Sequence, residues 1–221
     1  MLTFGPVLDD RSCCTILCIG AHCDDIEIGC GASLLRFIAE QSATGNSVAC
    51  HWVVATSNPL REAECRASAE HFLAGAEEKS VTIWSFRDGY LPYVGGEVKD
   101  AFERLKCEVH PNIVFTHYRH DLHQDHRLIN QLTWNTFRNH FILEYEILKY
   151  DGDIGCPNFY ISVHEGQVNR KVEFLLRHYP SQHSHSWFTP EALTAITRLR
   201  GVEANSSTGY AEGFYARKVC W

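Results

Sequence analysis

Residues 15–38 constrain the fold more than any other part of the chain. An apolar run, Thr15-Ile16-Leu17-Cys18-Ile19, passes through Gly20-Ala21 into a dense polar knot, His22-Cys23-Asp24-Asp25-Ile26-Glu27. After Gly29-Cys30-Gly31 an apolar periodicity returns at Leu34, Leu35, Phe37 and Ile38. The first run reads as a buried strand and the later spacing as a helix. A strand, a loop at its C-terminal end and a following helix form the unit of an α/β sheet, and that loop is the usual position of a site. One histidine and two adjacent carboxylates on such a loop suit either of two jobs. They can ligate zinc or a similar divalent ion, with a spare carboxylate to activate water. They can equally cap a helix start, with Asp24 or Asp25 accepting from helix N–H groups.

The same alternation continues downstream. Residues 48–56 are rich in β-branched side chains and read as a second strand. Ser57-Asn58-Pro59 opens a helix that ends near Gly75, 81–86 reads as a strand, and 98–109 reads as a helix with Phe102 and Leu105 on one face. A short buried strand at 113–116, a polar loop at 117–126 and a helix at 128–137 follow. Further strands are expected at 144–149 and 158–163, helices at 167–179 and 190–199, and a closing segment at 213–219. Strands alternating with helices imply right-handed βαβ units and a mainly parallel sheet covered on both faces. Residues 1–13 read as a leader without periodicity, and no linker or repeat interrupts the rest. Residues 1–221 are therefore read as a single domain.

Bulk properties narrow the function. The formal charge of −7 and the lack of a long basic run argue against a nucleic-acid surface. No segment approaches the roughly 18 apolar residues that a bilayer span needs. Asp9, Asp10 and Arg11 precede the first apolar run, which no secretory cleavage pattern follows. A soluble, cytoplasmic protein is expected. The 10 cysteines form no C-x-x-C pair, and Cys18, Cys30 and Cys50 lie in or beside apolar segments. They read as reduced, mostly buried thiols, not as a disulfide framework or a thiolate zinc site.

A second polar knot, His117-Tyr118-Arg119-His120-Asp121-Leu122-His123-Gln124-Asp125-His126, follows the 113–116 strand. His120 alone is adequately explained as a solvated loop residue; the D-L-H-Q-D-H core is not. Loops at the C-terminal ends of parallel strands gather on one edge of the sheet. The loops at 22–27 and 121–126 therefore meet if their strands are near neighbours. One histidine from the second loop completes a three-ligand site. Another, held by a carboxylate, can act as an acid or as an oxyanion stabiliser.

A-H-C-D-D-I-E-I-G-C-G at 21–31 followed by D-L-H-Q-D-H at 121–126 resembles the PIG-L/LmbE-like deacetylases, whose members carry A-H-P-D-D-x-E-x-G-x-G and a later H-x-D-H. Arg61-Glu62-Ala63-Glu64 is similar to the family's R-x-x-E helix start, and Gly209-Tyr210-Ala211-Glu212-Gly213-Phe214 to its Y-A-E-x-F ending. The resemblance implies a Rossmann-like, three-layer α/β fold. It also implies metal-dependent hydrolysis of an N-acyl group, usually acetyl on a small amino sugar or glycoconjugate. Carried over by position, it makes His22, Asp25 and His126 the ligands of a divalent ion, Zn2+ or another such as Fe2+. Asp24 matches the general base that deprotonates water. His123 matches the group that stabilises the tetrahedral intermediate and protonates the leaving amine, with Asp125 orienting it. Arg61 matches a substrate contact. The chemistry agrees, since an amide needs a polarised carbonyl, a hydroxide made at neutral pH and a proton for the departing nitrogen. Homo-oligomerisation is left open.

One departure stands inside the motif. Cys23 occupies the family's proline position, where a fixed φ would stiffen the loop, and a thiolate there would alter metal preference. Arg61 also reads as an ion pair with Glu62 or Glu64, and Glu27 as a brace for the loop. Asp88-Gly89-Tyr90 reads equally as pocket lining and as a turn, while His183, His185 and Trp187 read as a solvated loop or a substrate lid. The sequence does not say whether Tyr210 and Glu212 reach the pocket. Three other functions compete: an amidase for a non-sugar or thiol-conjugate N-acyl compound, a nucleotide-binding module, and a metal protein without catalysis. Gly29-Cys30-Gly31-Ala32 lacks the third glycine of a dinucleotide loop, and the carboxylates before it would repel a pyrophosphate. A non-catalytic metal site has no need of Asp24 and His123.

Overall fold

A computed structural model describes residues 13–219; the leader lies outside them except for Cys13, which opens the first strand. Seven strands form one sheet: β1 (Cys13–Gly20), β2 (Ser47–Thr56), β3 (Glu78–Phe86), β4 (Ile113–His117), β5 (Phe141–Tyr145), β6 (Phe159–Val163) and β7 (Tyr210–Ala216). Their order is β3-β2-β1-β4-β5-β7-β6. The first five are mutually parallel, and β7 runs antiparallel between β5 and β6. Six helices cover the two faces: α1 (Asp25–Ala43), α2 (Pro59–Phe72), α3 (Gly95–Glu108), α4 (Gln124–Thr136), α5 (Glu165–His178) and α6 (Pro190–Glu203). The expected three-layer α/β architecture with a mainly parallel sheet is the observed one. No helix among the described residues is long and apolar enough to cross a membrane.

The apolar run of β1 is explained by its central place. Ile16 and Cys18 face the core under α1, with Trp52 and Phe72, while Leu17 and Ile19 face the opposite core with Phe102 and Ile129. A strand buried on both faces has no position for a solvated side chain, so it reads as continuous hydrophobe. The described cysteines are all unpaired, and most are buried.

Three boundaries differ from the sequence reading, each for a reason that bears on the site. α1 begins at Asp25 rather than after Gly31, and α4 at Gln124 rather than at Leu128. The polar residues that looked like loop occupy the first turns, where acidic side chains complement unpaired N–H groups. β5 is Phe141–Tyr145, displaced from the expected 144–149, because Phe141, Ile142 and Leu143 pair with Ile113, Val114 and Phe115. The alternation around Glu144 misled because that carboxylate is buried by Trp134 Nε1 and Arg217 Nε, each donating at 2.7 Å. Gly29 has a packing role, not a phosphate-binding one. A Cβ there would sit 2.2 Å from the Tyr145 ring, so glycine lets the first turns of α1 lie directly on β5.

β1 pairs with β2 on one side and β4 on the other. The connection leaving β1 runs to β2 and the one leaving β4 runs the opposite way to β5, which opens a crevice at the C-terminal ends of β1 and β4. Both polar knots lie there.

Candidate metal centre

His22, Asp25 and His126 converge in that crevice. His22 Nδ1 lies 3.1 Å from His126 Nε2 and 3.3 Å from Asp25 Oδ2, and His126 Nε2 lies 3.6 Å from Asp25 Oδ1. The outer nitrogen of each imidazole faces carboxylates. His126 Nδ1 is 2.9 Å from Asp121 Oδ2, and His22 Nε2 is 3.3 Å from Asp125 Oδ2 and 3.1 Å from Asp88 Oδ1. An imidazole that donates its outer N–H to a carboxylate turns a lone pair inward. Two ring nitrogens 3.1 Å apart beside a carboxylate make the kind of donor set a divalent ion takes once His22 gives up its inner proton, so the residues present fit one. His126 suits this state, because burial and the neighbouring His117 push its pKa down to about 3. His22 behaves oppositely. Burial works against its charged form, yet Asp25 and hydrogen bonds to Asp125, Asp25 and Asp88 hold its pKa well above 6.5. Burial likewise opposes ionisation of Asp25, but His126, His117 and His22 keep its carboxyl well below the usual range.

Asp24 sits between β1 and α1 with φ 110°. A non-glycine residue in that region is strained, and such strain concentrates at functional sites. Its side chain does not cap α1; it receives Arg61 Nη2 at 2.9 Å. Burial raises its pKa to about 7, against the lowering effect of Arg61. Cys23 points the other way, with Sγ 3.7 Å from Thr56 O and 3.5 Å from Ser57 Oγ. It packs against the end of β2 and joins none of the candidate metal-binding groups among the described residues.

Two sequence-derived assignments acquire further partners in the structure. The Asp125 carboxylate is not on the His123 ring: it accepts from Gly89 N–H at 2.7 Å and Leu91 N–H at 3.1 Å, and faces His22. Only its backbone amide meets His123, donating to Nδ1 at 3.2 Å. The His123 pKa is lowered, because burial and His22 outweigh the raising effect of the Asp25, Asp125 and Asp121 carboxylates. Asp125 sits on the first turn of α4, which aims its side chain at the β3 loop instead of back along its own chain. Arg61, read as a substrate contact, has both of its Nη groups in protein contacts. It reaches Asp24, Cys23 O, Glu64 Oε2 at 3.3 Å and Ser181 Oγ at 3.0 Å. It borders the cavity and braces the loop that carries Asp24. Glu27 is a brace as expected, accepting from the Tyr179 hydroxyl. Glu212 does not reach the cavity; it lies under α1, bound to Lys171.

Two residues of the site were missed. His117 is fully buried, with Nε2 2.9 Å from Ala21 N and 3.2 Å from Asp25 Oδ2. It is the last residue of β4, and its place at a strand end on the site edge was the available signal. Asp121 holds His126 Nδ1 and accepts from His123 N–H at 2.8 Å. The cavity above these groups is about 600 Å³, and its walls include Asp88, Arg87, Lys149, Tyr150, His185 and Trp187.

Residues 17–137 match the PIG-L family, described as GlcNAc-PI de-N-acetylase. The chain belongs to the PIG-L family. The PIG-L match contains both polar knots but ends before the cavity walls contributed by Lys149, Tyr150, His185 and Trp187. No match was found among curated proteins. Solved structures share the fold. The conserved protein TT1542 from Thermus thermophilus is 22% identical over 93% of this chain and 96% of its own, with a TM-score of 0.69. The N,N'-diacetylchitobiose deacetylase from Pyrococcus horikoshii is 21% identical over 90% and 82%, with a TM-score of 0.61. GalB, the 4-carboxy-2-hydroxymuconate hydratase from Pseudomonas putida KT2440, is 17% identical over 94% and 98%, with a TM-score of 0.69. A deacetylase and a hydratase on one fold mean that the site, not the fold, must decide the reaction.

Proposed function

We propose that this chain is a metal-dependent N-deacetylase that removes an acyl group, acetyl in the first instance, from a small amino sugar or glycoconjugate. The observation that carries this reading is Asp24. It is a buried carboxylate with a pKa near 7, placed beside the His22–Asp25–His126 donor set but outside it, on the floor of a cavity of about 600 Å³.

His22, Asp25 and His126 would hold the ion, with Zn2+ suited to nitrogen and oxygen donors and Fe2+ as the alternative. When bound, it supplies polarisation of the amide carbonyl and acidification of water. Asp24 takes a proton from the attacking water; because the His123 pKa is lowered and that of Asp24 raised to about 7, we assign delivery of that proton to the departing amine nitrogen to Asp24 and not, as the family resemblance implies, to His123. Arg61 holds Asp24 in place and keeps its pKa from rising further. His123 accepts the Asp125 amide at Nδ1, so its own proton resides on Nε2. From there it donates toward the oxygen on which negative charge develops. Asp125 positions His22 and the Gly89–Leu91 turn; Asp121 positions His126.

The test is acetate release from N-acetylated sugars, nucleotide sugars, glycosides and non-sugar N-acyl thiols, before chelation, after it, and after metal is restored. Chelator-sensitive release from an amino sugar supports the reading. Turnover of the thiol conjugates alone makes this a non-sugar amidase. Full activity of protein shown to be metal-free removes the metal from the proposal.

A further inference from the structure

Cys23 is where this chain leaves its family's pattern, and it stands next to Asp24. Among the described cysteines it alone lines the cavity. Its side chain turns away from the metal-binding groups, with Sγ 3.7 Å from Thr56 O and 3.5 Å from Ser57 Oγ. Those two residues close β2 and lead into α2.

What the thiol meets there is a second thiol. Cys65 is fully buried on α2, and the Cys23 and Cys65 side chains are hydrogen-bonded to each other. The helix explains the placement. Arg61 and Cys65 are four residues apart and share one face of α2. On that face Arg61 holds Cys23 O and, at 2.9 Å, Asp24 Oδ2. One turn on, Cys65 comes to the same loop, and both sulfurs belong to the core on the α1 side of the sheet. Neither takes part in the chemistry assigned to Asp24 and His123. A proline at position 23, as in the family's A-H-P-D-D, could form no such pair.

We propose that Cys23 and Cys65 form a reversible thiol–disulfide pair, closed by a hydroperoxide that enters the cavity, and that closing it disables the site. Cys23 reacts first because it borders the cavity, and Cys65 resolves the product from behind. With hydrogen peroxide, the Cys23 sulfur forms an S–O bond as the O–O bond breaks, and the departing oxygen leaves as water with the thiol proton. Cys65 then attacks the Cys23 sulfur. An S–S bond forms, the S–O bond breaks, and a second water leaves with the Cys65 proton. The two thiols lose two electrons, and the peroxide gains them. A dithiol reductant reverses the change by exchange.

Sulfurs in hydrogen-bond contact must move closer to be bonded. Cys65 lies within a helix, whereas Cys23 lies on the loop before Asp24, whose φ is 110°. The movement therefore falls on the loop and draws Asp24 away from the His22–Asp25–His126 donor set. The bond itself does not depend on the deacetylase reading; its effect on turnover rests on it.

The test treats reduced, metal-loaded protein with hydrogen peroxide, alkylates the remaining thiols and maps the peptides by mass spectrometry, with acetate release followed in parallel. A peptide pair joined through Cys23 and Cys65 should appear and should vanish on adding dithiothreitol. Acetate release should fall on the order of a hundredfold as the pair closes, the effect of displacing a catalytic group by about 1 Å, and should return with the reductant. Cys23→Pro, which installs the family's residue, should turn over before peroxide and stay active after it. If Cys23→Pro does not fold, Cys23→Ala takes its place with the same expectation. Recovery of both cysteines as alkylated thiols, overoxidation of Cys23, or its pairing with a different cysteine refutes the pair. A closed pair with undiminished turnover refutes its control of the site. A closed pair in a protein whose reduced form releases no acetate would overturn the deacetylase reading and leave the pair standing.

Discussion

Lys171→Met tests what holds the middle of α1. Lys171 is 1% exposed and Glu212 3%. Lys171 Nζ donates to Glu212 Oε1 at 2.7 Å and to Ile28 O at 2.6 Å. Glu212 also accepts Ala32 N–H at 3.1 Å and Ser33 N–H at 2.7 Å. A carbonyl and two amides of α1, starting one turn beyond Asp25, are therefore met by side chains from α5 and β7. Methionine keeps the apolar stem but removes the cation, leaving Glu212 buried with two amides and no counter-charge. Breaking a buried pair from one side costs about 3–5 kcal/mol, a large part of the roughly 5–15 kcal/mol that holds a domain together. At about 2–4 °C per kcal/mol for a chain of this size, the melting temperature should fall by about 6–20 °C. Adding Glu212→Gln removes the stranded charge while its amide oxygen still accepts from α1, so the double variant should recover part of the loss. Urea unfolding at pH 7, read as the midpoint at constant slope, measures both. A loss below about 1 kcal/mol for Lys171→Met, or a double variant no more stable than the single one, would refute this reasoning.

Three further outcomes are expected at the site. Asp24→Asn should retain its metal and lose roughly two to four orders of magnitude in kcat; near-normal turnover would remove Asp24 from the chemistry. Asp24 must be ionised to act as a base, so kcat/KM should rise with pH through its pKa, about 7 before metal is added. Arg61 lowers that pKa, so Arg61→Met should move the acid limb to higher pH, and an unmoved limb would assign it to another group. The His22 pKa lies well above 6.5, so loading metal at pH 7 should displace a proton from its ring. Calorimetry in two buffers of different ionisation enthalpy measures this, and metal uptake without proton release would count against His22 as a ligand.

What the sequence by itself determined is local. Thr15 to Ile19 reads as a buried strand because every side chain in a doubly covered strand is apolar. The pairing of the 21–31 and 121–126 motifs was legible because loops at parallel strand ends share an edge. Family membership followed from the same residues. Direction and distance were not legible. Asp125 lies two residues from His123, yet its position on the first turn of α4 sends its carboxylate to Gly89, Leu91 and His22. His117 reads as the start of a loop, but it ends β4 and touches Asp25. Glu212 finds its partners on α1 and α5 only because β7 is inserted between β5 and β6. Periodicity records whether a position is buried, because burial selects residue type. Which group a buried polar side chain meets depends on helix starts and strand order, and those are settled by the packing of the whole sheet.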